Sequence, residues 1–223
     1  MTYPRTLTWS IKDYAAAVEQ ALRSRGIDGG WLLAESFGSQ IAWSLLEANS
    51  TVPTSESQTP SAFEGLILAG GFIQHPIKYG PQILRRLGEL TPRPIYALSV
   101  KLLGTGLKYR RRNSPQVLDG FREFAARRTD LDRQAMRHRL TLLARNDPRP
   151  TARATCVPVY QLTGLFDPLV PGFLVSRWLK KNCPGYRGGK TFGRASHGVL
   201  VDCPSESADI ILEWMKQNGA ANG

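Results

Sequence analysis

Cysteine is scarce in this sequence and never paired: Cys156, Cys183 and Cys203 are odd in number, widely spaced and outside any C-x-x-C arrangement. That pattern indicates neither a disulfide framework nor a zinc site, and leaves buried or incidental thiols as the expectation. Long apolar runs are missing too. No stretch approaches the roughly 18 consecutive apolar residues of a membrane span, and MTYPRTLTWS lacks the basic-then-apolar pattern of a signal peptide. A cytoplasmic protein with no transmembrane segment is therefore expected. Acidic residues fall short of basic ones, 18 against 29, for a formal charge of +11. The shortage is local: Lys101 to Arg153 holds 14 Lys and Arg against 5 Asp and Glu, which leaves a surplus of only 2 elsewhere. Lys108-Tyr109-Arg110-Arg111-Arg112 is the densest run. No zinc-finger, basic-zipper or RNA-recognition signature accompanies it, so nucleic acid is not an expected partner; a solvated face is the ordinary reading, an anionic substrate or surface the functional one.

What is present suffices for one core, since 223 residues with 42% hydrophobic content read as a single domain over 1–223. Ser10 with Asp13 three residues on reads as a helix N-cap; Ile11, Tyr14, Ala15, Val18, Ala21 and Leu22 share one face, and Gly26 ends the helix. Gly29-Gly30 turns the chain into an apolar strand, Trp31 to Ala34, followed by a helix to about Asn49. Ser50 to Ser61 is a polar loop. Gly65 to Gly71 is a second apolar strand, as in a parallel sheet covered on both faces. A helix follows from Pro81 to Leu90, and His75, in the loop before it, reads as a surface residue.

From about Lys101 to 150 two amphipathic helices follow without an intervening strand, a pattern that reads as a lid insertion. Ser114 caps the first, which carries Val117, Leu118, Phe121 and Phe124; the second carries Leu131, Ala135, Leu142 and Leu143 on its inner stripe and stops at Asn146-Asp147-Pro148. His138, among arginines, reads as exposed. Cys156 to Gly164 is a third strand, and a helix bearing Leu174, Val175, Trp178 and Leu179 comes next. Lys190 to Ala195 reads as a fourth strand. A last helix, opened by Pro204, presents Ala208, Ile211, Leu212 and Met215. The fold class is α/β, a mostly parallel sheet flanked by helices.

The stretch WLLAESFGSQIA carries the first chemical signal. A strand, a tight turn and a helix place Ser36 at an apex, in front of the partly positive helix N-terminus. Ala34-Glu35-Ser36-Phe37-Gly38 follows the G-x-S-x-G pattern with Ala in first place, the small end residues being expected from close strand–helix packing. Asp167 and His197 follow the third and fourth strands, where open α/β sheets gather their ligand-binding groups. Each has an ordinary alternative: Ser36 as a helix cap, Asp167 as the cap of the turn before Pro168, His197 as a loop histidine. Asp202 and Asp209 are less suitable acids because they come after His197.

From about Tyr3 to the end, the chain resembles the α/β-hydrolase family. The resemblance rests on AESFG, GLILAGG, the helical insertion, PVYQLTGLFDPLVP and GRASHGVL, in the family's order and at comparable separations. It implies a serine hydrolase: Ser36 as nucleophile, His197 as base, Asp167 as orienting acid, and the Phe37 backbone N–H as one oxyanion donor. The implied substrate is a small-molecule carboxylic ester of small or medium acyl chain, cleared through an acyl-serine without metal or cofactor. The alternative is a weak or inactive α/β-hydrolase-like binding module with a basic lid. Only nine residues precede Ser10, too few for the family's early strands, and Tyr3-Pro4 looks like the tail of a lost one. The fold is thus expected to be shortened at its N-terminus, with the Ser36 strand as an unprotected apolar edge and a homo-oligomer as the consequence.

Overall fold

In a computed structural model, which describes residues 7–50, 63–92 and 130–219, the first helix is capped reciprocally. Ser10 Oγ accepts the Asp13 N–H at 3.2 Å, and Asp13 Oδ2 accepts the Ser10 N–H at 2.7 Å. Helix α1 (Ile11–Arg23) then ends in a turn whose Gly26 adopts φ 65°, a left-handed conformation that costs glycine little. In order there follow β1 (Gly30–Glu35), α2 (Gly38–Ser50), β2 (Phe63–Ala69), α3 (Gly80–Leu90), α4 (Asp130–Arg145), α5 (Arg149–Ala154), β3 (Val159–Gly164), α6 (Gly172–Asn182), β4 (Tyr186–Phe192), α7 (Val199–Asp202) and α8 (Pro204–Gly219).

The chain divides into two compact units, one of residues 9–78 and 145–223, the other of 1–8 and 79–144. The larger contains a parallel sheet of order β1-β2-β3-β4, with Ala34 opposite Leu68, Leu68 opposite Gln161, and Gln161 opposite Gly189. Its two inner strands are covered on both faces: β3 is buried throughout, and β2 is buried except at Glu64. On one face Ile67, Ala69, Tyr160, Leu162 and Phe192 pack with Val199, Cys203, Ile210, Ile211 and Trp214, and the Tyr160 ring stacks on Trp214 at 4.4 Å. On the other, Gln161 is tied to α6, accepting Ser176 Oγ–H at 2.6 Å and donating to the Gly172 carbonyl at 3.3 Å. Leu66, Leu68 and Leu162 are fully buried, and truncating any one to alanine is expected to cost about 2–5 kcal/mol.

Several boundaries and faces differ from the sequence reading. The fourth strand is Tyr186–Phe192 rather than Lys190 to Ala195, because Gly188 and Gly189 weaken the strand signal while allowing close approach; a Cβ on Gly189 would stand 2.6 Å from the Gln161 carbonyl oxygen. The third strand starts at Val159, after Pro158, rather than at Cys156. Helix α8 turns Ser207, Ile210, Ile211 and Trp214 inward, leaving Ala208 exposed and Leu212 52% exposed, because Ile210, Ile211 and Trp214 form the face that packs with Tyr160, Val199 and Cys203. Cys156 is exposed, Cys183 and Cys203 are buried, and none of the three is in a disulfide.

In the smaller unit, Arg133 Nη2 donates to the carbonyls of Gly88 and Thr91 at 3.0 Å each, satisfying acceptors at the end of α3. Ala135 is buried as expected on α4, but Leu131 is 45% exposed, and His138 is half-buried rather than exposed. The helix expected from Ser114, the basic run at Lys108 and the Tyr3-Pro4 segment lie outside the described residues. Among the described residues, no helix is long and apolar enough to cross a membrane, and β1 pairs only with β2, with Leu33 49% exposed.

Candidate active site

Ser36 has φ 50°, the only positive φ outside glycine among the described residues. For a side-chain-bearing residue this conformation is costly, by about 1–3 kcal/mol, and persists only where neighbours hold it. They do so from both directions. The Ser36 N–H continues the sheet by donating to Ala69 O at 3.0 Å; the Ser36 carbonyl accepts Ser39 N–H at 3.0 Å and Ser39 Oγ–H at 2.7 Å. Ser39 Oγ in turn accepts the Phe72 N–H at 3.2 Å, and Gln40 Nε2 donates to the Phe72 and Ile73 carbonyls at 3.1 and 2.8 Å. Asn146 Nδ2 completes this buried set by donating to Gln40 Oε1 at 2.9 Å. Ala34 is buried at the strand end of the motif, whereas a Cβ on Gly38 would meet nothing within 4 Å, so close packing explains only the first of the two small residues. Phe37 lies between Ser36 and the start of α2, its ring edge-on to Tyr14 at 5.6 Å.

The structure brings Ser36, Asp167 and His197 together. Asp167 Oδ2 accepts from His197 Nδ1 at 2.8 Å, and His197 Nε2 lies 2.7 Å from Ser36 Oγ. Because an ionised carboxylate only accepts, Nδ1 carries the proton and Nε2 is left to accept the serine hydroxyl. The remaining oxygen, Asp167 Oδ1, accepts the N–H groups of Leu169 at 2.8 Å and Val170 at 2.9 Å. The Asp167 side chain is 1% exposed. Burial alone would raise its carboxyl, but the hydrogen bonds from His197, Val170 and Leu169 outweigh it and hold the group below the ordinary carboxylate range. Glu35 is the opposite case, raised by desolvation, with the charge of His197 pulling it partly back.

The histidine loop is fixed by its own contacts. Asp202 Oδ2 accepts Ser196 N–H at 2.7 Å and Ser196 Oγ–H at 2.6 Å, so Asp202 shapes the loop while Asp167 meets the ring. Gly70, with φ 56°, lets the end of β2 pass beneath this loop; a Cβ there would stand 2.7 Å from the His197 carbonyl oxygen. His75, expected on the surface, is 9% exposed. Its Nε2 lies 3.0 Å from Leu169 O, and its Nδ1 lies 3.1 Å from Ile77 O and 3.3 Å from Ile77 N. No local signal could have found it, since Leu169 is far along the chain. Among the described residues, no group of three or more His, Cys, Asp or Glu could hold a metal ion.

No family model matches the chain, and no curated protein matches it in sequence. Solved structures do. A thermophilic esterase from Thermogutta terrifontis shares 16% identity at a TM-score of 0.69, over 95% of this chain and 74% of its own. An esterase from Exiguobacterium antarcticum shares 17% at 0.69, over 96% and 76%. The enol-lactonase from Burkholderia xenovorans LB400 shares 16% at 0.66, over 93% and 74%. At such identities the likeness speaks to architecture, and it matches the parallel sheet and flanking helices described above. The chain has the α/β-hydrolase fold and spans about three quarters of the length of these neighbours.

Proposed function

We propose that this protein is a serine hydrolase that cleaves carboxylic esters of small or medium acyl chain through an acyl-serine intermediate. Ser36 Oγ attacks the ester carbonyl while His197 Nε2 takes its proton; the tetrahedral oxyanion is met by the Phe37 N–H, and collapse expels the alcohol, which receives the proton back from His197. Water, deprotonated by the same imidazole, then releases the acid and restores Ser36. Asp167 fixes the tautomer and stabilises the imidazolium. An oxyanion donor of this kind is worth roughly 100- to 1000-fold in rate. The observation that supports the reading is the hydrogen-bonded series Asp167, His197, Ser36, at 2.8 and 2.7 Å, with the serine held at φ 50°. The neighbouring folds, described as esterases and an enol-lactonase, are consistent with it.

The test is hydrolysis of p-nitrophenyl acetate and butyrate by the wild type and Ser36→Ala, with fluorophosphonate labelling of Ser36. A wild type no faster than Ser36→Ala would overturn the reading and favour a binding module. In the same proposal, residues about 101–150 serve as a lid, and copies of the chain associate as a homodimer or higher oligomer through the exposed β1 edge. A monomer by light scattering would remove the second element.

A further inference from the structure

His75 is buried in the loop between β2 and α3, its ring edge-on to Phe72 at 5.6 Å. Its Nδ1 stands 3.1 Å from the Ile77 carbonyl oxygen and 3.3 Å from the Ile77 nitrogen, and its Nε2 stands 3.0 Å from a second carbonyl; with the proton on Nε2 the ring donates to that carbonyl and accepts the Ile77 N–H. The carbonyl is that of Leu169, and Leu169 C=O and Val170 N–H belong to one planar peptide. That N–H is one of the two donors to Asp167 Oδ1. A donor at the carbonyl end of a peptide polarises it and strengthens the N–H at the other end. A continuous series therefore runs from His75 through the Leu169–Val170 peptide to Asp167, His197 and Ser36. The same loop is clamped to the elbow from its other side, by Ser39 Oγ on the Phe72 N–H and by Gln40 Nε2 on the Phe72 and Ile73 carbonyls.

We propose that His75 is a positioning residue for the serine site: it holds the Leu169–Val170 peptide, and through it Asp167, in register with the elbow that carries Ser36. The proposal rests on the hydrolase reading. It differs from a packing role because it requires the Nε2–H and not merely the ring. The ring also lines a cavity of about 210 Å³, with Gln74, Arg149, Leu174 and Trp178, so a side chain of similar or greater length has room.

Three variants of the full chain test it on p-nitrophenyl butyrate, with thermal melting and the rate of fluorophosphonate labelling as companion measurements. His75→Phe and His75→Met remove the N–H; His75→Gln offers an amide N–H in its place. In Phe and Met, kcat and the labelling rate are expected to fall about tenfold with KM within about twofold, the loss of one well-placed hydrogen bond in the transition state. In Gln both recover to within about threefold of wild type. Folded Phe and Met variants with wild-type kcat overturn the proposal, as does a Gln variant as slow as Phe. Failure of Phe and Met to fold also overturns it, since the fold as a whole would then be what needs the imidazole. A wild type that neither hydrolyses nor is labelled is a separate result, which overturns the hydrolase reading and this role with it.

Discussion

Two carboxylates act on His197, and their surroundings push them apart. Asp167 is nearly inaccessible to water, yet three N–H donors converge on it, from His197, Leu169 and Val170, and keep its charged form favourable. Glu35 ends β1 beside Ser36, and desolvation raises its carboxyl with only the His197 charge acting against it. Burial works in the same direction on both. What separates them is the supply of donors, so the carboxylate deeper in the protein is the one more firmly ionised. Opposed environments of this kind allow one acid to serve as a permanent partner of the imidazole while another near it does not.

The sharpest way to break this contrast is Asp167→Asn. The two backbone N–H groups need an oxygen, so the amide oxygen would take the Oδ1 place and its NH₂ would face His197 Nδ1. That forces the opposite tautomer, with Nε2–H directed at Ser36 and unable to accept its proton. We expect kcat for a p-nitrophenyl ester to fall on the order of 10⁴-fold, with the circular dichroism spectrum unchanged. A loss of only a few fold would show that Asp167 does not control the imidazole.

A second variant disturbs the imidazole rather than either acid. At Gly70 an added methyl is strained at φ 56° and would press on the His197 carbonyl at 2.7 Å. Gly70→Ala is expected to cost about 1–3 kcal/mol of stability and to lower kcat about tenfold or more through displacement of the ring. Thermal melting and ester hydrolysis together check this; a variant as stable and active as wild type would mean that the loop yields freely.

How much of this was legible in the sequence depends on how far apart the partners lie. The Ser10–Asp13 cap and the elbow at Ser36 are written within a few residues, and the doubly covered strands β2 and β3 announce themselves by unbroken apolar runs. Asp167 and His197 could be nominated because each follows a strand that ends at the same edge of the sheet. Their supports could not: His75 meets Leu169, Gly70 meets His197, and Gln40 meets Asn146, all across long separations. Strand β4 was misplaced for the same reason, since Gly188 and Gly189 make sense only against Gln161. The inward face of α8 likewise follows from α7 and the sheet rather than from its own periodicity.

The smallest effect concerns Glu35, and its sign is opposite to that of Asp167. A carboxyl held low by its partners adds stability above its unfolded value and loses it as pH falls through the folded value, so Asp167 stabilises at neutral pH. A carboxyl raised on folding carries a penalty that is absent below its unfolded value and grows as pH rises through the window up to the folded one. Glu35→Gln removes that penalty. Because the residue is partly open to solvent, we expect the melting temperature at pH 7.5 to rise by only about one or two degrees, with no difference from wild type near the bottom of the acid range. Its kcat should change less than about threefold. A drop in melting temperature at pH 7.5, or a loss of activity near that of Asp167→Asn, would show that Glu35 is a partner of His197 in its own right and that the two carboxylates are not the contrasting pair described above.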